Sequence, residues 1–378
     1  MVSIKDVAKQ AGVAISTVSK VLNGYGGVSE ETKEKVNQAI RELNYIPNSI
    51  AAALSSKKAG RIALLVHMST QTKAIDEIAM QYISGGIHKA QEQKLDLSVV
   101  FFSMMENKTL QEMVQYFQVQ NIEGIIIYGM TRDDKKIRQL AEEGPFKIVL
   151  VDAPAAGQQM SSVGIEQKQA QMDVAWKTIQ ENHCRKILYI AGKKNSYTGL
   201  ERLEGLETLA AEKDLDLLIR YGEFSEKKAR KITFRYAEKR DAVICGSDLM
   251  AIGAMRALIE MDIFRPVCGF DGLIIMGYAG KQMNTLQQDF AEISARAVEE
   301  MQYLLEGGAG RRVITQHAVK RIRYLDMIGM TDNQSRIETG KKKAFSQRRK
   351  KNVTVKCTAG SVKKHNGGAA DQTGTGKA

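Results

Sequence analysis

Four side chains with the chemistry to touch DNA sit close together near the start of the chain. Ile15, Ser16, Ser19 and Lys20 take the outward positions of a short helical repeat, Ile15–Leu22, whose apolar spacing includes Val18, Val21 and Leu22. A serine hydroxyl suits a phosphate oxygen, a lysine ammonium can donate to guanine O6 and N7, and an aliphatic side chain can pack on a thymine methyl. By helical phase Ile15 could instead be a core residue. Further along, Arg202, Asp271 and Phe224 have the types that hold a hydroxylated small molecule: a guanidinium, a carboxylate and an aromatic plate. Each also has an ordinary reading. Arg202 lies between Glu201 and Glu204 and could pair along a helix face; Asp271 precedes Gly272 and could be a turn residue; Phe224 could be core.

Catalytic spacing is absent from the sequence. There is no Gly-x-Gly-x-x-Gly after a strand, no Walker A loop, no His-Glu-x-x-His and no Gly-x-Ser-x-Gly. Ala191-Gly192-Lys193-Lys194 lacks the spacing of a phosphate loop, and Thr373-Gly374-Thr375-Gly376-Lys377 lies in a low-complexity stretch. Cys184, Cys245, Cys268 and Cys357 are scattered without a Cys-x-x-Cys pair, so neither a zinc site nor a disulfide framework is expected, and no cofactor. An enzyme is therefore not expected.

The elements that must position these groups follow from periodicity. Residues 1–45 read as short helices with tight turns: Lys5–Gln10, then Ile15–Leu22, then Glu30–Leu43 with Ser29 as its N-cap. Asn48–Ser56, with its Ala51–Leu54 core, is too short to hold a helix alone in water and reads as a hinge that orders conditionally. From residue 61 short apolar strands alternate with amphipathic helices. The strands are Ile62–Val66, Leu97–Phe102, Gly124–Tyr128, Lys147–Val151, Ile187–Ile190, Leu217–Tyr221, Ala242–Cys245 and Val267–Phe270. The helical stretches include Ile78–Lys94, Gln169–Gln180, Glu201–Glu212 and Leu249–Glu260. Buried strands alternating with helices imply parallel sheets covered on both faces, here two doubly wound lobes.

With 378 residues, 43% hydrophobic and 26% charged, the chain has ample material for a packed core. Its net charge of +12 is unevenly placed. Residues 61–331 hold 35 basic against 35 acidic side chains, residues 1–60 hold 8 against 5, and residues 332–378 hold 12 against 3. The last stretch has no periodicity and reads as a basic, disordered tail. No apolar run is long enough for a membrane span, and the N-terminal residues lack the apolar core of a signal peptide, so a cytoplasmic protein is expected.

The N-terminal helices carry the spacing of a helix-turn-helix. Ala8 gives a small residue where the second helix crosses the first, Gly12 tolerates a positive φ in the turn, and Val7, Val13, Val18 and Val21 can form a small core. The sequences Ile4-Lys5-Asp6-Val7-Ala8-Lys9-Gln10-Ala11-Gly12-Val13 and Ser16-Thr17-Val18-Ser19-Lys20-Val21-Leu22-Asn23 resemble the lactose-repressor/galactose-repressor (LacI/GalR) family. Val28-Ser29, Thr32, Val36, Ile40, Leu43–Asn48 and Ala51–Leu54 continue the resemblance, which is dense over residues 3–56 and looser over 61–325. It implies that Ile15, Ser16 and Lys20 read base edges, and that Thr17, Ser19, Asn23, Ser29 and Thr32 hold phosphates. It further implies that Asn48, Ala51 and Leu54 belong to a hinge helix formed on DNA, Leu54 being its minor-groove wedge. Where the family usually has serine before the recognition helix this chain has Ala14, which removes a side-chain cap.

The same resemblance extends to a periplasmic-binding-protein-like core. Arg202-Leu203-Glu204-Gly205 matches an Arg-x-x-Gly element whose arginine grips the ligand, and Cys268-Gly269-Phe270-Asp271 matches an element whose aspartate accepts ligand hydroxyls. Ser247-Asp248 and Gln288-Asp289-Phe290 also match. The resemblance thus implies an effector site of His67, Asp152, Thr198, Arg202, Phe224, Ser247, Asp271 and Gln288, with no metal. Three departures stand out: a short Met261–Pro266 connection, Glu166 in place of a usual aspartate, and a tail without the leucine heptads of a tetramerisation helix.

The expected division is a helix-turn-helix domain at 1–47, a hinge at 48–60, a two-lobed effector-binding and dimerisation core at 61–331, and the tail at 332–378. The expected function is a ligand-responsive transcriptional repressor, a homodimer on pseudo-palindromic operator DNA, released by a sugar-like effector. One alternative is a regulator co-repressed by a nucleobase or phosphorylated metabolite. The other is a solute-binding protein with no DNA role, against which residues 1–56 weigh.

Overall fold

The structure is a computed structural model that describes residues 2–22, 26–43, 45, 60–67, 76–155, 157–278 and 283–321. The hinge apart from Gly60, the residues Asn23, Asn48, Ala51 and Leu54, and the tail at 332–378 lie outside the described residues.

Three helices open the chain: α1 (Ile4–Ala11), α2 (Ile15–Leu22) and α3 (Glu30–Glu42). Val7, Ala8, Val18, Val36 and Ala39 form their own buried core, with Ile4, Val13, Val21, Leu22 and Ile40 packed around it. Local chemistry sets the boundaries. Ser3 and Asp6 form a capping box at the start of α1, with the Ser3 N–H donating to Asp6 Oδ2 at 2.8 Å. Gly12 ends α1 at φ +67°, where its N–H reaches the Ala8 and Lys9 carbonyls. Ser29 Oγ accepts the Thr32 N–H at the start of α3. At the start of α2 the Ala14 carbonyl accepts from Thr17 and Val18, while its methyl side chain offers no acceptor.

The rest divides into two compact units. The first contains Asn195–Thr198 and Asp289–Gln316 in addition to the chain up to Glu166; the second contains Gln167–Lys194, Gly199–Gln288 and the chain from His317. The first unit's sheet has six strands: β1 (Arg61–Val66), β2 (Leu97–Phe101), β3 (Ile122–Tyr128), β4 (Lys147–Val151), β5 (Met160–Gly164) and β11 (Arg312–Ile314). Their order is β11-β5-β4-β3-β1-β2, all parallel. The helices α4 (Asp76–Glu92), α5 (Leu110–Val119), α6 (Lys135–Glu143) and α11 (Phe290–Leu305) belong to this unit. Strands β1, β3 and β4 are buried almost throughout, as a parallel sheet between helices requires.

The second unit's sheet holds β6 (Lys186–Ala191), β7 (Asp216–Tyr221), β8 (Ala242–Cys245), β9 (Val267–Asp271), β10 (Asn284–Gln288) and β12 (His317–Arg321). The order is β12-β10-β9-β8-β6-β7. Its helices are α7 (Gln167–Glu181), α8 (Tyr197–Lys213), α9 (Glu226–Tyr236) and α10 (Asp248–Glu260). The pairs among β10, β9, β8, β6 and β7 are parallel, as expected, and β12 adds an antiparallel edge strand beside β10. Four strands escaped the sequence reading: β5, β10, β11 and β12. Their segments, such as Met-Ser-Ser-Val-Gly and Asn-Thr-Leu-Gln-Gln, lack an apolar run, yet β5 and β10 are largely buried.

Candidate DNA-reading and effector-binding sites

The fold presents the N-terminal half of α2 to solvent. Val18 is fully buried in the three-helix core and so fixes the rotation of the helix. Ile15 is then 44% exposed, which removes its core reading, and Ser16 and Lys20 are exposed beside it. Thr17 and Ser19 are partly buried at the flanks of this face. Ser29 and Thr32 lie together at the start of α3 with their hydroxyl oxygens 2.8 Å apart. Ser29 caps the helix by accepting the Thr32 N–H, and the N–H groups at such a terminus favour an anion.

In the second unit the parallel strands β6, β7, β8 and β9 end on one side of the sheet, at Ala191, Tyr221, Cys245 and Asp271. Ligands of open α/β sheets bind at such carboxyl ends. Arg202 reaches this edge from α8 and is 5% exposed. Its Nε donates to Gln167 Oε1 at 2.9 Å, and its Nη1 donates to the Gly246 carbonyl at 2.8 Å and to Asp271 Oδ1 at 3.4 Å. The guanidinium also covers the Phe270 ring at 3.7 Å. It is therefore not part of an ordinary exposed helix face; Glu204 pairs with Lys168 instead. Asp271 is the last residue of β9, buried, with φ +129°, a conformation costly for a residue with a side chain. Gln288, at the end of β10, donates from Nε2 to the same Asp271 Oδ1 at 3.1 Å. Its own Oε1 is buried and has no hydrogen-bond partner among the described residues.

Arg202, Asp271 and Gln288 are thus joined directly. Ser247 follows the Gly246 carbonyl and spends its Oγ on capping α10, where it accepts the Met250 N–H at 3.3 Å. Phe224, also at positive φ (+57°), is partly buried; its ring lies against Gly192, where any side chain would collide with it. Plate and core readings both fit that position. His67, Asp152 and Thr198 belong to the first unit. His67 follows β1, is exposed, and meets the Phe102 ring edge-on at 5.4 Å. Asp152 follows β4 at φ +58° and accepts the Tyr82 hydroxyl at 3.0 Å. Thr198 Oγ1 pairs with Ser196 Oγ at 3.0 Å.

Gln167, Tyr82 and the Gly246 carbonyl were not legible as site residues. Gln167 opens the helix after β5, a strand without an apolar signature, so no strand-end argument pointed to it. Among the described residues no group of three or more His, Cys, Asp or Glu is placed to hold a metal ion, and no helix is long and apolar enough to cross a membrane.

Comparison with known proteins covers both sites. Residues 3–48 match the model of bacterial regulatory proteins of the lacI family, and residues 76–289 match that of periplasmic binding proteins and the sugar-binding domain of the LacI family. The HTH-type transcriptional regulator AscG of Escherichia coli K12 is 28% identical over 82% of this chain and 93% of its own length. The HTH-type transcriptional regulator CelR of Thermobifida fusca is 30% identical over 76% of this chain and 86% of its own. The ribose operon repressor of Halalkalibacterium halodurans is 28% identical over 78% and 88%. Among solved structures, the lac repressor dimer bound to operator and the anti-inducer ONPF superposes with a TM-score of 0.72 at 24% identity, covering 85% of this chain and 98% of that one. A CelR–cellobiose complex superposes with a TM-score of 0.63, also at 24% identity, covering 85% and 99%. The N-terminal helices and the α/β units therefore match the two domains of one known architecture, and the chain is a DNA-binding transcriptional regulator of the LacI family.

Proposed function

We propose that the protein is a repressor that binds a pseudo-palindromic operator as a homodimer and releases it when a sugar-like effector occupies the residues around Arg202 and Asp271. The observation that carries the effector reading is the balanced charge of that cluster. Arg202 is neutralised by Asp271 and also donates to the Gln167 and Gly246 oxygens, so the cluster offers hydrogen bonds rather than net charge. Gln288 Oε1 remains as a buried acceptor for a ligand hydroxyl. A neutral polyol fits those terms, with Phe224 as a ring face. Two relatives point the same way, one a ribose operon repressor and the other solved with cellobiose. The reading of a phosphorylated co-repressor draws its support from Lys193 and Lys194, exposed just beyond β6.

Ile15, Ser16 and Lys20 serve in this reading as the base-reading set, and Thr17, Ser19, Ser29 and Thr32 as phosphate holders, with Asn23, Asn48, Ala51 and Leu54 assigned by resemblance alone. The domain division 1–47, 48–60, 61–331 and 332–378 is proposed on the same footing. The protein acts by binding without turnover, in the cytoplasm where its operator lies. The experiment is a melting-shift panel of neutral sugars, nucleobases and phosphosugars, followed by operator titration with each compound that shifts the melt. A neutral sugar that raises the melting temperature and weakens operator binding is the expected result. A shift confined to phosphosugars, with operator binding strengthened, selects the co-repressor reading.

A further inference from the structure

Asp248, the first residue of α10, is completely buried. The Leu273 N–H donates to its Oδ2 at 2.7 Å, the Thr285 hydroxyl donates to Oδ1 at 2.5 Å, and the Gly272 N–H is a further donor. Gly272 and Leu273 are the two residues after Asp271, and Thr285 pairs across the ladder with Gly269 of β9. Asp248 therefore pins the carboxyl end of the strand that carries Asp271. It forms no ion pair among the described residues. The groups that face it are Asp271, itself held by Arg202 of α8; the thiols of Cys268 on β9 and Cys245 on β8; and Thr285 on β10. Met276, from the short turn Ile274–Tyr278, adds only an apolar end.

Thr285 makes this junction tolerant of a proton. Its Oγ1 also accepts the Gly272 N–H at 3.2 Å and stands 3.4 Å from the Leu286 carbonyl. With Asp248 ionised, the threonine hydroxyl donates to the carboxylate. With Asp248 protonated, the carboxyl donates to Thr285 Oγ1 and the threonine proton turns to the Leu286 carbonyl. We propose that Asp248 is a positioning residue of the effector site, holding Asp271 and the Gly272–Leu273 turn through a Thr285 hydroxyl relay that accepts either protonation state, so that ligand affinity varies with pH. The proposal rests on the reading of Arg202 and Asp271 as effector-binding residues.

Burial, and then the charge of Asp271, push the Asp248 carboxyl up to about 8 against the pull of its donors. A ligand cannot desolvate Asp248 further and acts on it only through Asp271. A hydroxyl donated to Asp271 disperses that charge, eases ionisation of Asp248 and, by linkage, binds more tightly as pH rises. The sign for the ligand-free protein is opposite. A carboxyl raised in the folded state contributes stability that is complete below its unfolded value and is lost as pH rises through about 8.

The first test uses the full ligand-free chain. Infrared difference spectra across the neutral-to-alkaline range should lose a protonated-carboxyl band near pH 8. The band should be missing in Asp248→Asn and kept in Thr285→Ser. The melting temperature of the wild type should fall relative to Asp248→Asn as pH rises towards 8. The second test adds ribose or cellobiose as the probe. Affinity should rise about two- to threefold per pH unit at most through this range, below the tenfold bound for one full proton, and stay level in Asp248→Asn. Absence of the band in the wild type, or its persistence in Asp248→Asn, overturns the proposal. Sugar affinity that stays level across this range in the wild type, or that changes equally in Asp248→Asn, overturns the proposal too, whereas a normal band with no binding of either sugar overturns the sugar reading on which it rests.

Discussion

Arg202 illustrates how much depends on one buried cation. Its partner Asp271 is itself buried, so Arg202→Ala strands an uncompensated carboxylate, a change that typically costs about 3–5 kcal/mol. Replacing both residues, Arg202→Ala with Asp271→Asn, removes the stranded charge. The double variant is expected to melt higher than the single one, and both should bind operator without responding to the effector; calorimetry and operator titration check the two halves separately. An intact ligand response in the double variant would place the gripping groups elsewhere. Lys20 poses a different question, because its ammonium is exposed and free to reach either a base or a phosphate. If it reads a base, Lys20→Ala should lower discrimination at one operator base pair by roughly 1–3 kcal/mol. If it touches phosphate, affinity should fall for every sequence and the salt slope should flatten. Unchanged binding to all sequences would exclude both roles.

At the scale of elements, two local signals decide whether α2 is presented at all. Gly12 sits in the left-handed region at φ +67°, so Gly12→Ala should destabilise the three-helix module by about 1–2 kcal/mol although nothing crowds the position. Ser29→Ala should cost about 0.5–2 kcal/mol through the lost cap on α3. Both losses should appear in the melt and in operator affinity while the effector-induced melting shift of the core is retained. These two residues were readable because their roles are local: a turn and a cap need only neighbours in sequence. The strands β1, β3, β4 and β8 were readable because a strand buried on both faces must be apolar throughout. Strand β10 was not, since Asn284, Thr285 and Gln288 are buried polar residues whose partners, including Thr178, Asp248 and Asp271, lie far away in sequence. The same reason hid Gln167, which holds Arg202 across 35 residues. Arg202 and Asp271 were singled out by resemblance to a family motif; their residue types alone left a helix face and a turn open.

For the whole molecule, the expectation is a dimer, because one small helix-turn-helix spans only a half-site. Sedimentation of the protein with a full operator should give two chains per duplex, and a monomer held at full affinity on one half-site would refute this. The excess of basic residues at 332–378 leads to a separate expectation. Deleting them should weaken non-specific DNA binding and reduce its salt dependence, with operator preference unchanged. Loss of folding on that deletion would show that the core extends past residue 331.

The closing strands also set a schedule for biosynthesis. The β5 edge of the first sheet is covered by β11, and Thr315 bonds back to Gly164 across 151 positions. The β10 edge of the second sheet is covered by β12, whose residues follow immediately. A ribosome adding about 5–20 residues per second takes about 8–30 s to pass from Gly164 to Thr315. Throughout that interval the nascent chain carries an unpaired strand edge, a template for pairing with other chains. Translation halted shortly before residue 312 should therefore yield a product that has most of its helices and core yet aggregates, and supplying the missing segment in trans should be a poor substitute for completing the chain.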